Sequence, residues 1–385
     1  MYVSALSLSN FRSYAALHLR DVPPGLVAFT GANGAGKTNI LEGLSLLAPG
    51  RGLRSAHDDD IQNKSSPDTP WAVHARLNGK YGPQEIGLGH DALKKRRIVH
   101  LNGEKLKSNE ERAEIFRCVW LTPREDRLFL DGASARRKWL DRFVFTADAA
   151  HAGRITRLDR LLAERNRLLS LDRVDPLWLN AIEDDLAATS LAVATARVDY
   201  LDRLRSEIPK TDPYLFPAPS LRLHGFFEER VGQEPALQIE TDYRRALERN
   251  RAHDRTVQAT TIGPHRSDIV VSYTAKDMPA RECSTGEQKA LLFSLFMAHV
   301  RLITREMGEA PVLLLDEIAA HLDPDRRIFL LSHLTDLGAQ VFMTATTDDA
   351  FQNVQDVALY HVNQGSVRPL SDAPLSAPSL KVLSA

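Results

Sequence analysis

The sequence predicts an α/β fold interrupted by an α-helical lobe, and three observations carry that prediction. A short apolar run, Leu26 to Phe29, ends in a glycine-rich stretch and gives way to helical periodicity. A second apolar run, Val312 to Leu315, ends in the acids Asp316 and Glu317 near the other end of the chain. Between them, Arg136 to Arg205 is almost free of glycine and proline and is dense in Leu, Ala, Arg, Asp and Glu, a composition suited to long helices.

The elements follow in order. Val3, Leu6 and Leu8, then Leu17 and Leu19, predict a strand pair, and Leu26 to Phe29 a third strand. Lys37 to Leu47 reads as a helix with Ile40, Leu41, Leu44 and Leu47 on one face. Trp71 to Arg97 reads as strands broken by glycines. The helical stretch breaks near Val174-Asp175-Pro176, and the proline-containing Ile208 to Ser220 is a linker or lobe edge. Thr241 to Arg255 predicts a charged helix, and Ile269 to Tyr273 and Val341 to Thr344 predict strands. From Ser371 the chain is rich in Ser, Pro and Ala and is expected to be disordered. The expected division is 1–115 and 261–370 for the two parts of the phosphate-binding lobe, 116–260 for the helical lobe and 371–385 for a flexible tail.

Bulk properties narrow the class. The chain has 385 residues, enough for two or three domains, and its 43% hydrophobic and 26% charged content is that of a soluble globular protein. A formal net charge of −1 means that any surface for a polyanion must be local. Two cysteines, Cys118 and Cys283, make no disulfide framework and no zinc spacing, which fits a reduced, cytoplasmic setting. Met1 to Ser4 lacks the basic start and apolar run of a signal peptide. Ala290 to Val300, the most apolar stretch, is too short to span a bilayer and reads as a core helix, so no membrane partner is expected.

Gly31-Ala32-Asn33-Gly34-Ala35-Gly36-Lys37-Thr38 matches the P-loop pattern between a strand and a helix, where backbone N–H groups cradle phosphates. Lys37 is expected to reach the β- and γ-phosphates of ATP and the Thr38 hydroxyl to sit on Mg²⁺, with Asn39 also beside the nucleotide. The strand from Val312 would deliver Asp316 to the Mg²⁺ and place Glu317 where it can polarise a water against the γ-phosphate. The bland alternative, a buried strand that ends in acids, loses ground once a P-loop is present in the same chain.

Ser284-Thr285-Gly286-Glu287-Gln288 resembles the signature motif of ABC ATPases. It is equally a capping box, Ser284 capping the following helix and Glu287 reaching back, and both readings can hold. Ala320-His321-Leu322-Asp323 resembles the D-loop of the same class. An ABC-type P-loop ATPase head with an inserted helical arm is therefore expected. That resemblance implies that Ser284, Gly286 and Gln288 complete the nucleotide site of a second copy, and that Asp323 helps to order the dimer.

Four further segments narrow the resemblance. Asn10-Phe11-Arg12-Ser13-Tyr14 looks like the opening of SMC-like and RecF-type ATPases. Arg136-Arg137 followed by Leu140-Asp141, Leu161 to Leu169 with its central Arg165-Asn166, and Thr261 to Asp268 with Gly263-Pro264-His265-Arg266 are similar to RecF-family motifs, in family order. The resemblance implies an ATP- and Mg²⁺-dependent homodimer that forms on DNA, with Arg12 near the nucleotide, and slow ATP hydrolysis. It also implies action with RecR and RecO to place RecA on gapped DNA during repair and replication restart. A transporter subunit, a non-hydrolysing structural protein and a nuclease-associated head are the alternatives.

The sequence departs from the wider ABC pattern twice. Pro123-Arg124-Glu125-Asp126 stands where a Q-loop glutamine is expected, leaving Glu125 or Asp126 as substitutes, and Thr344-Ala345-Thr346 lacks a switch histidine. For DNA the candidates are Arg154, Arg157 and Arg160 along one helix face, Lys94-Lys95-Arg96-Arg97, and Arg244, Arg245, Arg249 and Arg251, each weighed against a solvated, charge-balanced face. No helix-turn-helix or aromatic-rich basic groove is present, so contact without base preference is expected. His265 and Arg266 serve either the nucleotide or lobe interface, or only a turn.

Overall fold

The computed structural model describes residues 1–91, 96–173, 175–208, 216–317 and 322–370. The expected disordered tail, Lys94-Lys95, Val174 and Ala320-His321 lie outside the described residues. In chain order the elements are β1 (Tyr2–Phe11), β2 (Tyr14–Leu19), β3 (Leu26–Thr30), α1 (Lys37–Leu47), α2 (Asp58–Ile61), β4 (Ala72–Gly79), β5 (Gly82–Asp91), β6 (Arg96–Leu101), β7 (Glu104–Lys105), α3 (Asn109–Ile115) and β8 (Cys118–Leu121). There follow α4 (Ala133–Ala147), α5 (His151–Leu169), α6 (Pro176–Arg205), β9 (Pro219–His224), α7 (Ala236–Val257), β10 (Asp268–Tyr273), β11 (Met278–Pro279) and α8 (Thr285–Met307). The chain closes with β12 (Val312–Leu315), α9 (Pro324–Asp336), β13 (Val341–Ala345), β14 (Val357–Asn363) and β15 (Ser366–Pro369).

Two compact units result, one of residues 1–123 and 307–370, the other of 124–306. The first holds two six-stranded sheets. One is antiparallel in the order β2-β1-β4-β5-β6-β7; the other runs β15-β14-β3-β13-β12-β8, parallel except for the β14–β15 hairpin. Helix α1 packs against β1, β4 and β5 of the first sheet and against β8 and β13 of the second. Its approach to β1 depends on Gly43, where a Cβ would stand 2.7 Å from the Leu8 side chain. Leu8, Ile40, Leu44, Phe116 and Leu314 are fully buried in the core that results.

The second unit is built on α4, α5, α6, α7 and α8 with a small β11-β10-β9 sheet. The α5–α6 break falls where expected, and Asp175 caps α6 by accepting from the Leu177 amide at 2.9 Å, with Pro176 in the first turn. The expected linker 208–220 already contains the start of β9.

The expected boundaries at 116 and 260 move to 124 and 306. Cys118 to Leu121 pair in parallel with Val312 to Leu315, which draws β8 into the first unit. The stretch 261–306 stays with the helices, where β10 pairs with β9, α8 buries its apolar residues and ion pairs add to the contact. Arg136 grips Asp268 through both guanidinium nitrogens, at 2.8 and 2.7 Å, and Arg203 bonds Glu306 at 2.8 Å. The signature-like motif therefore lies in the second unit, not with the strand that carries Asp316.

Candidate functional site

In the first unit the P-loop bridges β3 and α1, and two of its glycines have no substitute. Gly31 has φ +143° and a Cβ there would drive into the Val362 carbonyl oxygen of β14. Gly36 has φ +113°, and its Cβ would meet the Ser13 hydroxyl at 2.7 Å and the Tyr14 hydroxyl at 2.9 Å. Gly36 is also the N-cap of α1, so no side chain caps the helix and its first turn carries no acid. The amides there are left open to an anion, with the helix dipole favouring one.

Lys37 is buried and folds back on the loop, its ammonium donating to the Gly31 carbonyl at 2.6 Å and the Ala32 carbonyl at 2.9 Å. Burial lowers its pKa, partly offset by the nearby charges of Glu317 and Asp316. The positive head is thus held in the cradle before any phosphate arrives.

Asp316 and Glu317 follow β12. The Asp316 Oδ1 accepts from the Thr38 hydroxyl at 3.0 Å and from the Thr344 hydroxyl at 2.7 Å. The same Thr344 oxygen accepts from the Glu317 amide at 2.8 Å. Glu317 takes φ +54°, a left-handed turn that costs about 1–2 kcal/mol for a residue with a side chain and is fixed here by that amide bond. Thr344 thus stands where the sequence shows only a missing histidine. Its signal was faint, a lone threonine at the end of the strand after the acidic one.

Among the described residues no group of three or more His, Cys, Asp or Glu could enclose a metal. Mg²⁺ needs less, one or two carboxylates with waters and phosphate oxygens, and the Thr38 hydroxyl beside the Asp316 carboxylate fits that requirement.

Arg12 does not point freely at the loop. Its guanidinium is clamped on the buried Glu42 at 2.9 and 2.6 Å, and Arg54 reaches the same carboxylate at 2.9 Å. The Asn39 amide is likewise engaged, donating to the Ser13 hydroxyl and accepting from Arg54, each at 2.9 Å. Two guanidinium groups on one carboxylate leave a net positive patch beside the first turn of α1.

In the second unit the capping box forms as the sequence allows. The Ser284 amide and hydroxyl each donate to Glu287 at 2.8 Å, and Lys276 also bonds that carboxylate. The bond to Lys276, then those from Ser284, lower the Glu287 pKa to about 2. Gly286 has open space where a Cβ would stand. The Gln288 side chain is buried and donates to the Cys283 carbonyl at 2.9 Å. It braces the loop from within.

Other expected residues are similarly engaged. Asp323, in the first unit, is the N-cap of α9 and accepts from the Arg326 amide at 3.0 Å. Glu125 pairs with Arg142 at 3.1 Å and Asp126 with Lys289 at 3.5 Å, so both Q-loop substitutes are held by cations of their own unit. Arg154 pairs with Asp148, Arg157 with Asp185 and Arg244 with Asp184, while Arg160 and Arg249 are exposed without a carboxylate partner among the described residues. Arg97 pairs with Asp58 at 2.6 Å.

The remaining motif residues form a buried scaffold in the second unit. Arg165, fully buried, bonds Glu183 at 2.9 Å, Asp254 at 2.7 Å and Thr260 at 2.9 Å, and Asn166 accepts from Thr260 at 2.8 Å. Arg197 bonds Asp141 at 2.8 Å and the Pro264 carbonyl at 2.6 Å. His265 and Arg266 both turn onto the Thr260 carbonyl. Burial lowers the His265 pKa to about 4, so the ring is neutral. The turn reading fits this geometry.

A family model described as the RecF/RecN/SMC N-terminal domain matches residues 2–368. A protein of Mesorhizobium japonicum named DNA replication and repair protein RecF is 44% identical over 97% of this chain and 99% of its own length. Its namesake from Rhizobium meliloti is 42% identical over 94% of this chain and 96% of its own. A solved structure of the recombination mediator protein RecF with ATP, described as part of the RecFOR pathway, superposes with a TM-score of 0.84 at 24% identity, covering 96% of this chain and 98% of that one. That likeness carries the fold, an ABC-type ATPase head with an inserted helical lobe. With the motif order, the family model and near-full-length relatives in agreement, the chain belongs to the RecF family of the RecF/RecN/SMC proteins.

Proposed function

We propose that this protein is a slow, DNA-dependent ATPase of the cytoplasm that acts in DNA replication and repair as an ATP-gated clamp. The observation that carries the reading is the chain of bonds from Thr38 through Asp316 and Thr344 to Glu317, set beside an uncapped helix N-terminus and the poised Lys37. The names of the near-full-length relatives support the biological setting.

In this reading the amides from Gly31 to Thr38 hold the ATP phosphates, and Lys37 leaves its two carbonyls for the β- and γ-phosphate oxygens. Thr38 and Asp316 would hold Mg²⁺, which would supply positive charge against the phosphate oxygens. Glu317 orients a water in line with the γ-phosphorus and takes its proton as the new P–O bond forms, while the bond to the β–γ bridging oxygen breaks and ADP leaves. Ser284 and Gly286 of a second copy close over the γ-phosphate, so nucleotide state and dimer state are linked by their contacts. Asp323 supports that dimer, and RecR, RecO and RecA are the partners in the pathway.

Binding to a fluorescent gapped duplex, with and without ATP–Mg²⁺ and at two salt concentrations, tests this for the wild type and Glu317→Gln. Tighter binding with ATP, weakened by salt and prolonged in Glu317→Gln, is expected. No ATP effect on DNA binding in either protein overturns the clamp.

A further inference from the structure

In the second unit the signature-like motif carries an acid where an anion is expected to bind. Ser284 has two donors at the start of α8, its amide and its hydroxyl, and both go to one oxygen of Glu287, at 2.8 Å each. Gly286 between them is exposed, with open space where a Cβ would stand. A γ-phosphate that came to Ser284 would find these donors engaged and a carboxylate of its own sign beside them. Two anions so close repel.

Lys276 answers that charge. Strands β10 and β11 pair Ser272 with Pro279 and Tyr273 with Met278, so residues 274–277 form the turn of a hairpin. Asp277 takes φ +46° there, and the turn brings Lys276 to the first turn of α8, where Glu287 stands 11 residues on in the chain. The ammonium bonds the Glu287 Oε1, while Ser284 uses Oε2. The carboxylate thus bridges a cation and the two Ser284 donors, one oxygen to each side. The ammonium also lies 5.5 Å from the centre of the Tyr273 ring, which favours its staying near the pair. Neighbouring cations are engaged elsewhere, Arg281 with Glu282 and Lys289 with Asp126.

The fold has little need of this pair. The Lys276 side chain is 48% exposed, and an ion pair so open to water is weak in an isolated molecule. It gains weight when a second copy covers it, because water is then excluded and the charge of the ATP is added.

We propose that Lys276 is a positioning residue for the contact between two copies: it retains the Glu287 carboxylate, so that the Ser284 amide and hydroxyl can turn to the γ-phosphate of the second copy's ATP. This rests on the reading that Ser284 closes over that phosphate, and adds what frees it to do so. Without the lysine the carboxylate stays on Ser284 and opposes the incoming phosphate. The arrangement occurs twice in a symmetric dimer. A coupling at the low end of the usual range, about fivefold per site, makes about 25-fold in the dimer dissociation constant.

Dimerisation of the full chain with ATPγS–Mg²⁺ is followed by sedimentation for Lys276→Gln, Lys276→Arg, Glu287→Gln and the double variant Lys276→Gln, Glu287→Gln. Nucleotide affinity of the monomer is the check on the fold. Lys276→Gln is expected to dimerise about 25-fold more weakly at unchanged nucleotide affinity, and Lys276→Arg to regain most of the loss. Glu287→Gln keeps a capping oxygen without the charge, so in that background Lys276→Gln should change nothing. Wild-type dimerisation by Lys276→Gln overturns the inference. An equal loss in the Glu287→Gln background also overturns it, since Lys276 would then act on the phosphate or the partner directly and not through Glu287. No dimer of the wild type, or dimers of Ser284→Arg as tight as the wild type's, overturns the trans-site reading and this inference together.

Discussion

Thr344→Val is the most informative single change, because it removes one oxygen and keeps the side-chain volume. That oxygen donates to Asp316 at 2.7 Å and accepts from the Glu317 amide at 2.8 Å. Losing a bond to a charged acceptor costs about 1.5–3 kcal/mol, and stranding an enclosed amide costs about 1–3 kcal/mol. The sum, about 3 kcal/mol or more, is a large part of the 5–15 kcal/mol that holds a typical domain together. The catalytic effect follows from the same bonds. Glu317 sits at φ +54°, and without its amide acceptor the carboxylate loses its fixed direction. A loss of about 1.4–2.8 kcal/mol at the transition state is about a 10- to 100-fold fall in turnover. ATP affinity should change little, since the phosphate cradle is untouched. Single-turnover hydrolysis, nucleotide binding and urea unfolding are measured together for Thr344→Val and Thr344→Ser. The serine variant keeps the hydroxyl and should restore most of the rate. Wild-type turnover in Thr344→Val would show that Thr344 positions nothing.

Two further outcomes are expected. Ser284→Arg should bind ATP with wild-type affinity yet stay monomeric with ATP in light scattering, and ATP-dependent dimers of this variant would remove the trans-site model. His299, fully buried and bonded to Tyr200 at 2.8 Å, has its pKa lowered to about 3 by burial first and then by Arg142. Its folded pKa lies below the unfolded value of 6.5, so its stabilising contribution is full above that value and is lost as pH falls toward 3. Between pH 7.5 and 5.5 about 1.4 kcal/mol should disappear from the unfolding free energy, and His299→Phe should flatten that part of the profile. An identical pH dependence in the two proteins would place the titrating group elsewhere.

The sequence by itself determined the parts whose chemistry is local. A glycine pattern sets the P-loop because backbone torsions and close approach are properties of a few adjacent residues. Apolar periodicity marks β3, β12 and the long helices, and the capping box at Ser284 needs only a spacing of three. Arg12, Asn39 and Gln288 were legible as candidates but not in their engagements, because their partners, Glu42, Arg54 and the Cys283 carbonyl, are chosen by packing. Tertiary structure alone decided the sheet order, with β13 between β3 and β12. Parallel neighbours align their carboxyl ends, so Thr344 comes to Asp316 from 28 residues away along the chain. The same holds for Arg165 with Asp254, 89 residues apart. Charges separated so far in sequence carry no local signal, and only the closed core fixes which of them meet.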